Sequence, residues 1–415
     1  MGTLKEDAYQ ILQQSIHSVL PDTAVKRALE KKSFTKPITI IAIGKAAWSM
    51  ASAAYEVLGN QVKQGIVITK YLHSKGPIAN LLIKEAGHPI PDKNSILATA
   101  EAVAMAKSLT EEDDVVFLIS GGGSSLFEML MPDISIEDVM DITSQLLKSG
   151  ADIVEMNTIR KHLSAVKGGR FAKLCEPAQM YAIVLSDVLG DRLDTIASGP
   201  ACADTSTVED VQAILTKYEL KVSDALMSAL QQETPKEITN CEIVITGNVS
   251  HLCSAAASAA KNLGYQPMIL STSVDSETKE AGKFLASIAK SIQKEAYPLS
   301  PPCAIICGGE TVVRITGKGK GGRNQELALA AAMGIEGLPN TIITAVGSDG
   351  TDGPTDAAGG WADKDTASQL RELGYDITSV LKDNNSYEAL KATGNLIFTG
   401  PTGTNVNDLY FILCK

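Results

Sequence analysis

Short apolar runs alternate along the chain with longer stretches in which apolar residues recur at helical spacing. Short apolar runs between turn residues are typical of strands buried on both faces, and helices that separate such strands lead to parallel sheets. The pattern therefore predicts an α/β protein with largely parallel sheets. The predicted strands are Ile38–Ile43, Gln64–Ile68, Val115–Ile119, Tyr181–Leu185, Glu242–Thr246, Met268–Leu270, Ala304–Cys307, Val312–Thr316, Thr341–Val346, Asn395–Phe398 and Asp408–Leu413.

The predicted helices lie between these strands. They include Glu6–Leu20, Ala46–Leu58 and Asn324–Met333, and the last two stop at a glycine, a common C-terminal cap. The last two strands are joined by a turn, Gly400–Asn407, that is rich in Gly and Asn. We expect these two strands to form an antiparallel hairpin on an otherwise parallel sheet.

The length predicts more than one domain, because 415 residues exceed the size of a usual single core of roughly 150 residues. A polar, Gln-rich stretch that contains proline, Ser223–Thr239, precedes a new strand, and domain boundaries favour such segments. We place the boundary near Asn240. The prediction is an N-terminal domain of residues 1–239 and a second domain of residues 240–415.

The net charge excludes several classes of function. Thirty-seven basic side chains against 48 acidic ones give a net charge of −11, without any block of Lys and Arg, which argues against nucleic-acid binding. No apolar run approaches the ~20 residues that span a bilayer, and the first residues lack the pattern of a signal peptide. With seven scattered cysteines read as reduced thiols, we expect a cytoplasmic protein that does not bind membranes.

Glycine and polar residues follow six of the predicted strands. In open α/β sheets ligands bind beyond the carboxyl ends of the strands, so six such ends predict a polar cleft. The loop Ser120–Ser125 carries three successive glycines and three serines, and its backbone N–H groups would bind an anion; the alternative is a flexible turn. Lys45 follows another strand as the one charge between Pro37 and Tyr55, which favours a functional role. The six ends are Gly44–Lys45, Ser120–Ser125, Ser186–Asp187, Gly247–Ser250, Gly308–Thr311 and Gly347–Asp352.

The segment Gly308–Glu326 has the densest polar chemistry. Gly317, Gly319 and Gly322 match the dinucleotide pattern G-x-G-x-x-G, but basic residues fill and flank the match. We interpret the segment as a mobile basic loop that closes over phosphates, with Arg323 supplying a bidentate fork. Glu310 would anchor a metal ion or pair with Arg323. A charged surface hairpin is the alternative.

A second loop, Ser348–Gly360, carries Asp349, Asp352 and Asp356 among Gly and Pro. Such carboxylates bind Mg²⁺ or accept a proton from a hydroxyl, although a plain turn is the commoner meaning of the pattern. The five histidines are dispersed, which argues against a zinc hydrolase, and the G-x-S-x-G motif of α/β hydrolases does not occur. Together the motifs predict phosphoryl transfer from a polyphosphate to a small anionic substrate.

Seven motifs that cover the chain from about Ile38 to Thr404 resemble the glycerate 2-kinase family. They are AIGKAAWSM, EAGHPIPD, LISGGGSSL, IRKHLSAVKGGRFA, SDVLGDRLDTIASGP, CGGETVVRITGKGKGGRNQELALA and SDGTDGPTDAAGG. The resemblance implies a Rossmann-like N-terminal domain with a mostly parallel sheet, a smaller C-terminal α/β domain with a mixed sheet, and an active site in the interdomain cleft. It implies ATP-dependent phosphorylation of D-glycerate at its 2-hydroxyl, with Mg²⁺ or another divalent cation as cofactor.

The resemblance also implies roles for matching positions. Lys45 and Arg323 would grip the substrate carboxylate and the phosphates, and Glu310 and Asp349 would be acidic partners of the metal or of the acceptor hydroxyl. Asp349 would assist the 2-hydroxyl. The loop after Asp187 departs from the family pattern at two places, Arg192 and Ala201–Thr207. These departures leave the substrate preference of the protein open. The predicted residues are Lys45, Glu310, Arg323 and Asp349 for catalysis; Ser120, Gly121, Gly122, Gly123, Ser124, Ser125, Asp187, Lys318 and Lys320 for nucleotide binding; and Asp187, Glu310 and Asp349 for metal binding.

Two alternatives come from other classes of protein. An NAD(P)H-dependent hydroxypyruvate reductase is supported by the G-x-G-x-x-G string and by the name that some family members carry. A non-catalytic protein that senses a sugar acid would not need six polar strand ends. The sequence leaves open the preferred nucleotide and metal, the position of the phosphate on the product, and whether the chain forms a homodimer.

Overall fold

In a computed structural model, which describes residues 2–415, the contacts divide the chain into two units. The N-terminal unit is Pro21–Thr246, and the C-terminal unit combines residues 2–20 with Gly247–Lys415. This division differs from the predicted one chiefly in the first helix, α1 (Leu4–Ser18). Asp7 of α1 accepts a hydrogen bond from the Tyr265 hydroxyl (2.7 Å) and pairs with Lys415 (2.8 Å), so buried polar contacts fasten this helix to the C-terminal unit.

The N-terminal unit is built on one six-stranded sheet with the spatial order β3-β2-β1-β4-β5-β6. The pairs β1–β2, β1–β4, β2–β3 and β4–β5 are parallel, as the apolar runs predicted. The order is that of a Rossmann-type fold, in which it reverses between β1 and β4 and opens a crevice at their carboxyl ends. The strands are β1 (Ile38–Ile43), β2 (Val62–Lys70), β3 (Leu81–Ala86), β4 (Asp114–Ile119), β5 (Gln179–Leu185) and β6 (Cys241–Gly247).

Helices and two short 3₁₀ turns (Gly59–Gln61 and Ile196–Ser198) complete the N-terminal unit. Phe117, Phe127 and Phe171 pack together in the core on one side of the sheet, with ring centroids 4.9–6.1 Å apart. The helices are α2 (Pro21–Leu29), α3 (Ala47–Leu58), α4 (Lys93–Lys107), α5 (Gly123–Leu126), α6 (Ile136–Lys148), α7 (Ile153–Leu163), α8 (Arg170–Leu174), α9 (Val208–Lys217) and α10 (Asp224–Leu230).

The C-terminal unit contains a mixed six-stranded sheet with the order β11-β10-β9-β12-β8-β7. Strand β12 runs antiparallel to both β8 and β9, and β7 pairs in parallel with β8. The strands are β7 (Gln266–Val274), β8 (Cys303–Gly309), β9 (Thr341–Gly347), β10 (Gly359–Asp363), β11 (Leu396–Ile397) and β12 (Asp408–Cys414). The helices besides α1 are α11 (Val249–Asn262), α12 (Thr278–Glu295), α13 (Arg323–Ile335), α14 (Thr366–Glu372), α15 (Ile377–Lys382) and α16 (Ser386–Ala392).

The predicted hairpin between the last two strands is wrong. Strand β11 pairs with β10 at the edge of the sheet, whereas β12 lies at its centre between β8 and β9. All seven residues of β12 are buried, and a strand buried on both faces gains more from a central position than from an edge. The predicted strand Val312–Thr316 does not form either, because only Val312 makes an isolated bridge, to Glu277.

The fold confirms two α/β domains, one with a mostly parallel sheet and one with a mixed sheet. None of the helices described in residues 2–415 is both long enough and apolar enough to cross a membrane. The seven cysteines are free thiols, and five of them are buried.

Candidate active site

The loops after β1 and β4 meet at the crevice of the N-terminal unit. Gly44 has a φ of +111°, and a Cβ there would lie 2.3 Å from Ser120 Oγ, so only glycine fits. The Ser120 hydroxyl donates to Ile43 O (3.2 Å) and accepts from Ala46 N (3.1 Å), and Lys45 N donates to Gly121 O (2.9 Å). The Ser120 hydroxyl is thus engaged in joining the two loops, and this junction holds Lys45 at the switch point of the sheet.

The glycine run of the second loop permits close packing. A Cβ on Gly121 would lie 2.3 Å from Asp187 Oδ2, and one on Gly123 would lie 2.8 Å from Ala197 Cβ. The serine hydroxyls have local partners: Ser124 Oγ lies 3.0 Å from Ser198 Oγ, and Ser125 Oγ donates to Gly122 O (3.2 Å). Within the described N-terminal unit the N–H groups of Gly121 and Gly122 donate no hydrogen bond. The backbone of the loop is therefore available to an anion.

A cavity of about 200 Å³ adjoins this loop within the N-terminal unit. Its walls combine the glycine loop with residues that follow β3 and β5, with Arg160 of α7, and with the 3₁₀ turn. The lining residues are His88, Pro89, Gly121, Gly122, Ser124, Ser125, Arg160, Asp187, Val188, Thr195, Ile196 and Ala197. The predicted residues Gly121, Gly122 and Asp187 thus share one pocket.

Sequence reasoning assigned no role to His88 or Arg160, although both lie in motifs that it quoted. The position that a Cβ on Gly122 would take is 2.9 Å from the His88 ring and 3.2 Å from Lys45 Cγ, so these three residues are neighbours. Burial, together with the charges of Lys45 and Lys70, lowers the pKa of His88 below its usual 6.5, and its ring is neutral at pH 7. A basic residue seven positions before the KGGR segment, Lys167–Arg170, was the available signal for Arg160.

In the C-terminal unit, Arg323 lies between two carboxylates. Its Nε and Nη2 donate to the two oxygens of Asp408 (2.6 and 3.1 Å), and its Nη1 donates to Glu310 Oε1 (2.7 Å). Asn407 Nδ2 donates to the other Glu310 oxygen (3.1 Å), and the Tyr410 hydroxyl donates to Asp408 Oδ2 (3.0 Å). The bidentate fork predicted for phosphates is therefore occupied by Asp408, a residue that sequence reasoning missed.

The charges of this cluster are strongly coupled. Burial opposes ionisation of Arg323, but the Asp408 and Glu310 carboxylates raise its pKa above the usual range. Burial raises the pKa of Asp408, against the lowering effect of Arg323. In the sheet, Asp408 lies opposite Gly309 of β8 and Gly347 of β9, so β12 begins where β8 and β9 end. The central position of β12 thus creates this cluster.

Of the three aspartates in the predicted Asp-rich loop, Asp352 is buried and caps α13. Its two carboxylate oxygens accept hydrogen bonds from Asn324 N (3.1 Å) and Gln325 N (2.9 Å). Burial raises its pKa to about 6. Asp349 is partly exposed; its Oδ1 accepts from Thr351 N (3.0 Å) and lies 3.2 Å from the Cβ position of Gly347, at the end of β9. Asp349 is thus partly open at the end of β9, and its role towards a ligand stays a prediction.

The glycines of the basic loop have a packing function. A Cβ on Gly317, Gly319 or Gly322 would lie 2.3–2.4 Å from Asp383, Asn385 and Asp352, respectively. Backbone hydrogen bonds from Lys318 N to Asp383 Oδ1 (3.1 Å) and from Lys320 N to Asn385 Oδ1 (3.0 Å) fasten the loop to the segment between α15 and α16. This packing explains the G-x-G-x-x-G spacing without a dinucleotide, and the expected closure of the loop over phosphates stays a prediction.

Both lysine side chains of this loop are exposed, and Lys320 Nζ lies 4.1 Å from the centroid of the Tyr387 ring. Their contribution to nucleotide binding stays a prediction. The structure therefore separates the predicted residues into three groups. The N-terminal crevice is surrounded by Lys45, Ser120–Ser125 and Asp187. The ends of β8 and β9 carry Glu310, Arg323 and Asp349. The basic loop carries Lys318 and Lys320.

No three His, Cys, Asp or Glu side chains within residues 2–415 are grouped so that they could hold a metal ion. Mg²⁺ commonly uses only one or two carboxylates, with water and substrate phosphates completing its shell. Asp349 fits that requirement, because its Oδ1 accepts one backbone hydrogen bond and the side chain is partly exposed. Both Glu310 oxygens already accept hydrogen bonds, from Arg323 and Asn407.

Comparison with known proteins identifies relatives of this chain. Residues 7–231 match a family described as a domain of unknown function, DUF4147, and residues 303–408 match the MOFRL family. The D-glycerate 2-kinase of Thermotoga maritima is 54% identical over 407 residues, covering 98% of this chain and 97% of the relative. A 38% identical relative from Agrobacterium vitis, covering 97% of this chain and 93% of its own length, carries a hydroxypyruvate reductase name. The crystal structure of a glycerate kinase from Thermotoga maritima has a TM-score of 0.98 at 53% identity and covers 99% of both chains.

Proposed function

Since the chain belongs to the glycerate kinase family, we propose that it transfers the γ-phosphoryl group of ATP to the 2-hydroxyl of D-glycerate, forming 2-phosphoglycerate and ADP. The observation that carries this function is the 54% identity to a D-glycerate 2-kinase over nearly the whole of both chains. The cationic crevice and the carboxylates at the β8 and β9 ends supply the chemistry that the reaction needs.

Phosphoryl transfer depends on the neutralisation of phosphate charge and on alignment of the acceptor hydroxyl. Lys45 supplies a cation at the switch point, where its backbone is fixed by Gly121. Asp349 is our candidate for the residue that accepts the hydroxyl proton or holds a divalent cation. A bound Mg²⁺ would neutralise charge on the phosphate oxygens.

Arg323 has a different role in this proposal. Its guanidinium already pairs with Asp408 and Glu310, so it holds both carboxylates in place. Because these carboxylates balance most of its positive charge, Arg323 attracts phosphates only weakly. A hydroxypyruvate reductase finds less support, because the glycine pattern that suggested a nicotinamide dinucleotide is explained by packing against Asp383, Asn385 and Asp352.

The test is a coupled assay for ADP with ATP and D-glycerate, followed by phosphorus NMR of the product. We expect ADP formation that depends on glycerate and on a divalent cation, and a phosphate on the 2-hydroxyl. Oxidation of NADH by hydroxypyruvate, without ADP formation from glycerate, would reverse the assignment. Chelation should abolish turnover and leave the melting temperature unchanged if the cation acts on the reaction alone.

A further inference from the structure

Arg160 is a cation of the N-terminal cavity that the proposed reaction does not yet use. It lies on α7 and lines the cavity, and its guanidinium makes no ion pair or hydrogen bond with any residue among 2–415. Its basic neighbours are all engaged: Lys161 pairs with Asp204 (2.5 Å), and Arg170 Nη1 donates to the carbonyls of Lys161 and Ser164 (2.7 Å each). A guanidinium that faces a cavity without a partner is suited to an anionic ligand.

The walls that hold Arg160 opposite the glycine loop are fixed by buried contacts. Asp204, which pairs with Lys161 of the same helix, also accepts hydrogen bonds from Ser206 and Thr234 (2.8 and 2.9 Å). On the other wall, Gly168 N donates to Ser198 O (3.0 Å), which holds the 3₁₀ turn. A site whose supporting shell is fixed in this way is organised before its ligand arrives.

The size of the cavity selects among anions. About 200 Å³ is below the roughly 300–1,000 Å³ of pockets for drug-sized ligands, so the cavity holds only a small ligand or one end of a larger one. A three-carbon acid is several times smaller. The charges favour the same class, because the cavity wall carries one guanidinium, Arg160, and one carboxylate, Asp187, a balance that suits a monovalent anion better than a polyphosphate.

We infer that this cavity binds the three-carbon acid, with the Arg160 guanidinium gripping its carboxylate and the N–H groups of Gly121 and Gly122 facing its oxygens. This rests on the proposed function and deepens it: the glycine loop that the sequence assigned to the nucleotide becomes part of the acid's subsite, and Arg160 becomes a determinant of specificity. The planar fork of Arg matches a carboxylate through two parallel hydrogen bonds, which Lys does not reproduce.

Steady-state kinetics of Arg160→Gln test this assignment. The KM for D-glycerate should rise roughly 10- to 100-fold, as expected when hydrogen bonds to a charged group are lost, and the KM for ATP should change less than about two-fold. Arg160→Lys should recover part of the loss. Arg371→Gln is the matched control, because Arg371 is an exposed arginine of α14 that pairs with Glu336 and lines no proposed site, and it should leave both constants unchanged.

A second readout separates charge recognition from structural damage. Wild-type enzyme should prefer D-glycerate over its neutral amide, glyceramide, and Arg160→Gln should reduce that preference by the same factor by which KM rises. A rise in the KM for ATP alone would assign the cavity to phosphates, and unchanged constants would remove Arg160 from the site; either result overturns the inference. If wild-type enzyme formed no ADP from glycerate, the proposed function would fail instead, and calorimetry of D-glycerate binding to both proteins would still decide the role of Arg160.

Discussion

The ion pair between Arg323 and Asp408 makes a prediction about stability that differs from a purely catalytic role for Arg323. Arg323→Gln removes the cation and leaves Asp408, whose side chain is 1% exposed, as a buried carboxylate. Removing one partner of a buried pair typically costs about 3–5 kcal/mol of unfolding free energy, because the remaining charge has no compensation.

We expect the lower end of this range. The Tyr410 hydroxyl still donates to Asp408, and the contact of Arg323 with Glu310 contributes little because the Glu310 side chain is 44% exposed. A loss of about 3 kcal/mol corresponds to a fall in melting temperature of roughly 6–12 °C for a unit of this size. Without Arg323 the pKa of Asp408 rises further, and protonation then relieves the buried charge. The stability deficit should therefore shrink as the pH falls.

The assay is thermal unfolding of wild type and Arg323→Gln between pH 5 and pH 8, with activity measured on the same samples. Arg371→Gln provides the control, since Arg371 is an exposed residue paired with Glu336 and its loss should shift the melting temperature by no more than about 2 °C. A variant that lost activity but melted like wild type at pH 8 would refute the argument that Arg323 is committed to Asp408.

Three further predictions concern the two sites. Lys45→Ala should lower kcat/KM by about 100-fold or more, a loss of some 3 kcal/mol of transition-state stabilisation. Its melting temperature should stay within about 2 °C of the wild-type value, because the Lys45 side chain forms no ion pair in the described chain. Retention of full activity would remove Lys45 from the site. Gly122→Ala should raise the KM for D-glycerate and destabilise the protein by about 1–2 kcal/mol, since the φ of residue 122 is +84° and the new Cβ would meet the His88 ring. A normal KM in a folded variant would contradict this. For Asp352, a folded-state pKa of about 6 against an ordinary 3.8 means that folding favours the protonated form, so its contribution to stability is lost as the pH rises from about 4 to about 6. Urea titrations should therefore show that the unfolding free energy of wild type minus that of Asp352→Asn falls by about 3 kcal/mol across that window. A constant difference would be evidence against the shift.

The central strands could be predicted because their sequences are apolar throughout. Strands β1 and β9 lie at their predicted positions within a residue or two, since a strand buried on both faces leaves no polar position to obscure it. Strand β3 carries Lys84 and Glu85 at a sheet edge, and β10 begins with two glycines, so neither has that signature. The position of β12 depends on pairing with segments far away in the chain, which no local pattern encodes.

The site divides in the same way. Lys45 and the glycine loop were found because glycine and polar residues after an apolar strand are a local signal. Asp408 was missed because its importance comes from Arg323, which lies 85 positions earlier in the chain. Arg160 was missed for a related reason: whether a helical arginine is paired or faces a cavity depends on the packing of α7, and the basic residues around it look alike in the sequence.

The insertion of β12 between β8 and β9 also constrains synthesis of the protein. Residues 2–20 are made first, but the rest of their unit is made only after all of Pro21–Thr246 has been translated. The sheet of that unit lacks its central strand until residues 408–414 leave the ribosome. Until then Arg323 has no Asp408 to pair with. A message cut short before codon 408 would yield a chain without Asp408, in which the carboxylate cluster around Arg323 cannot assemble.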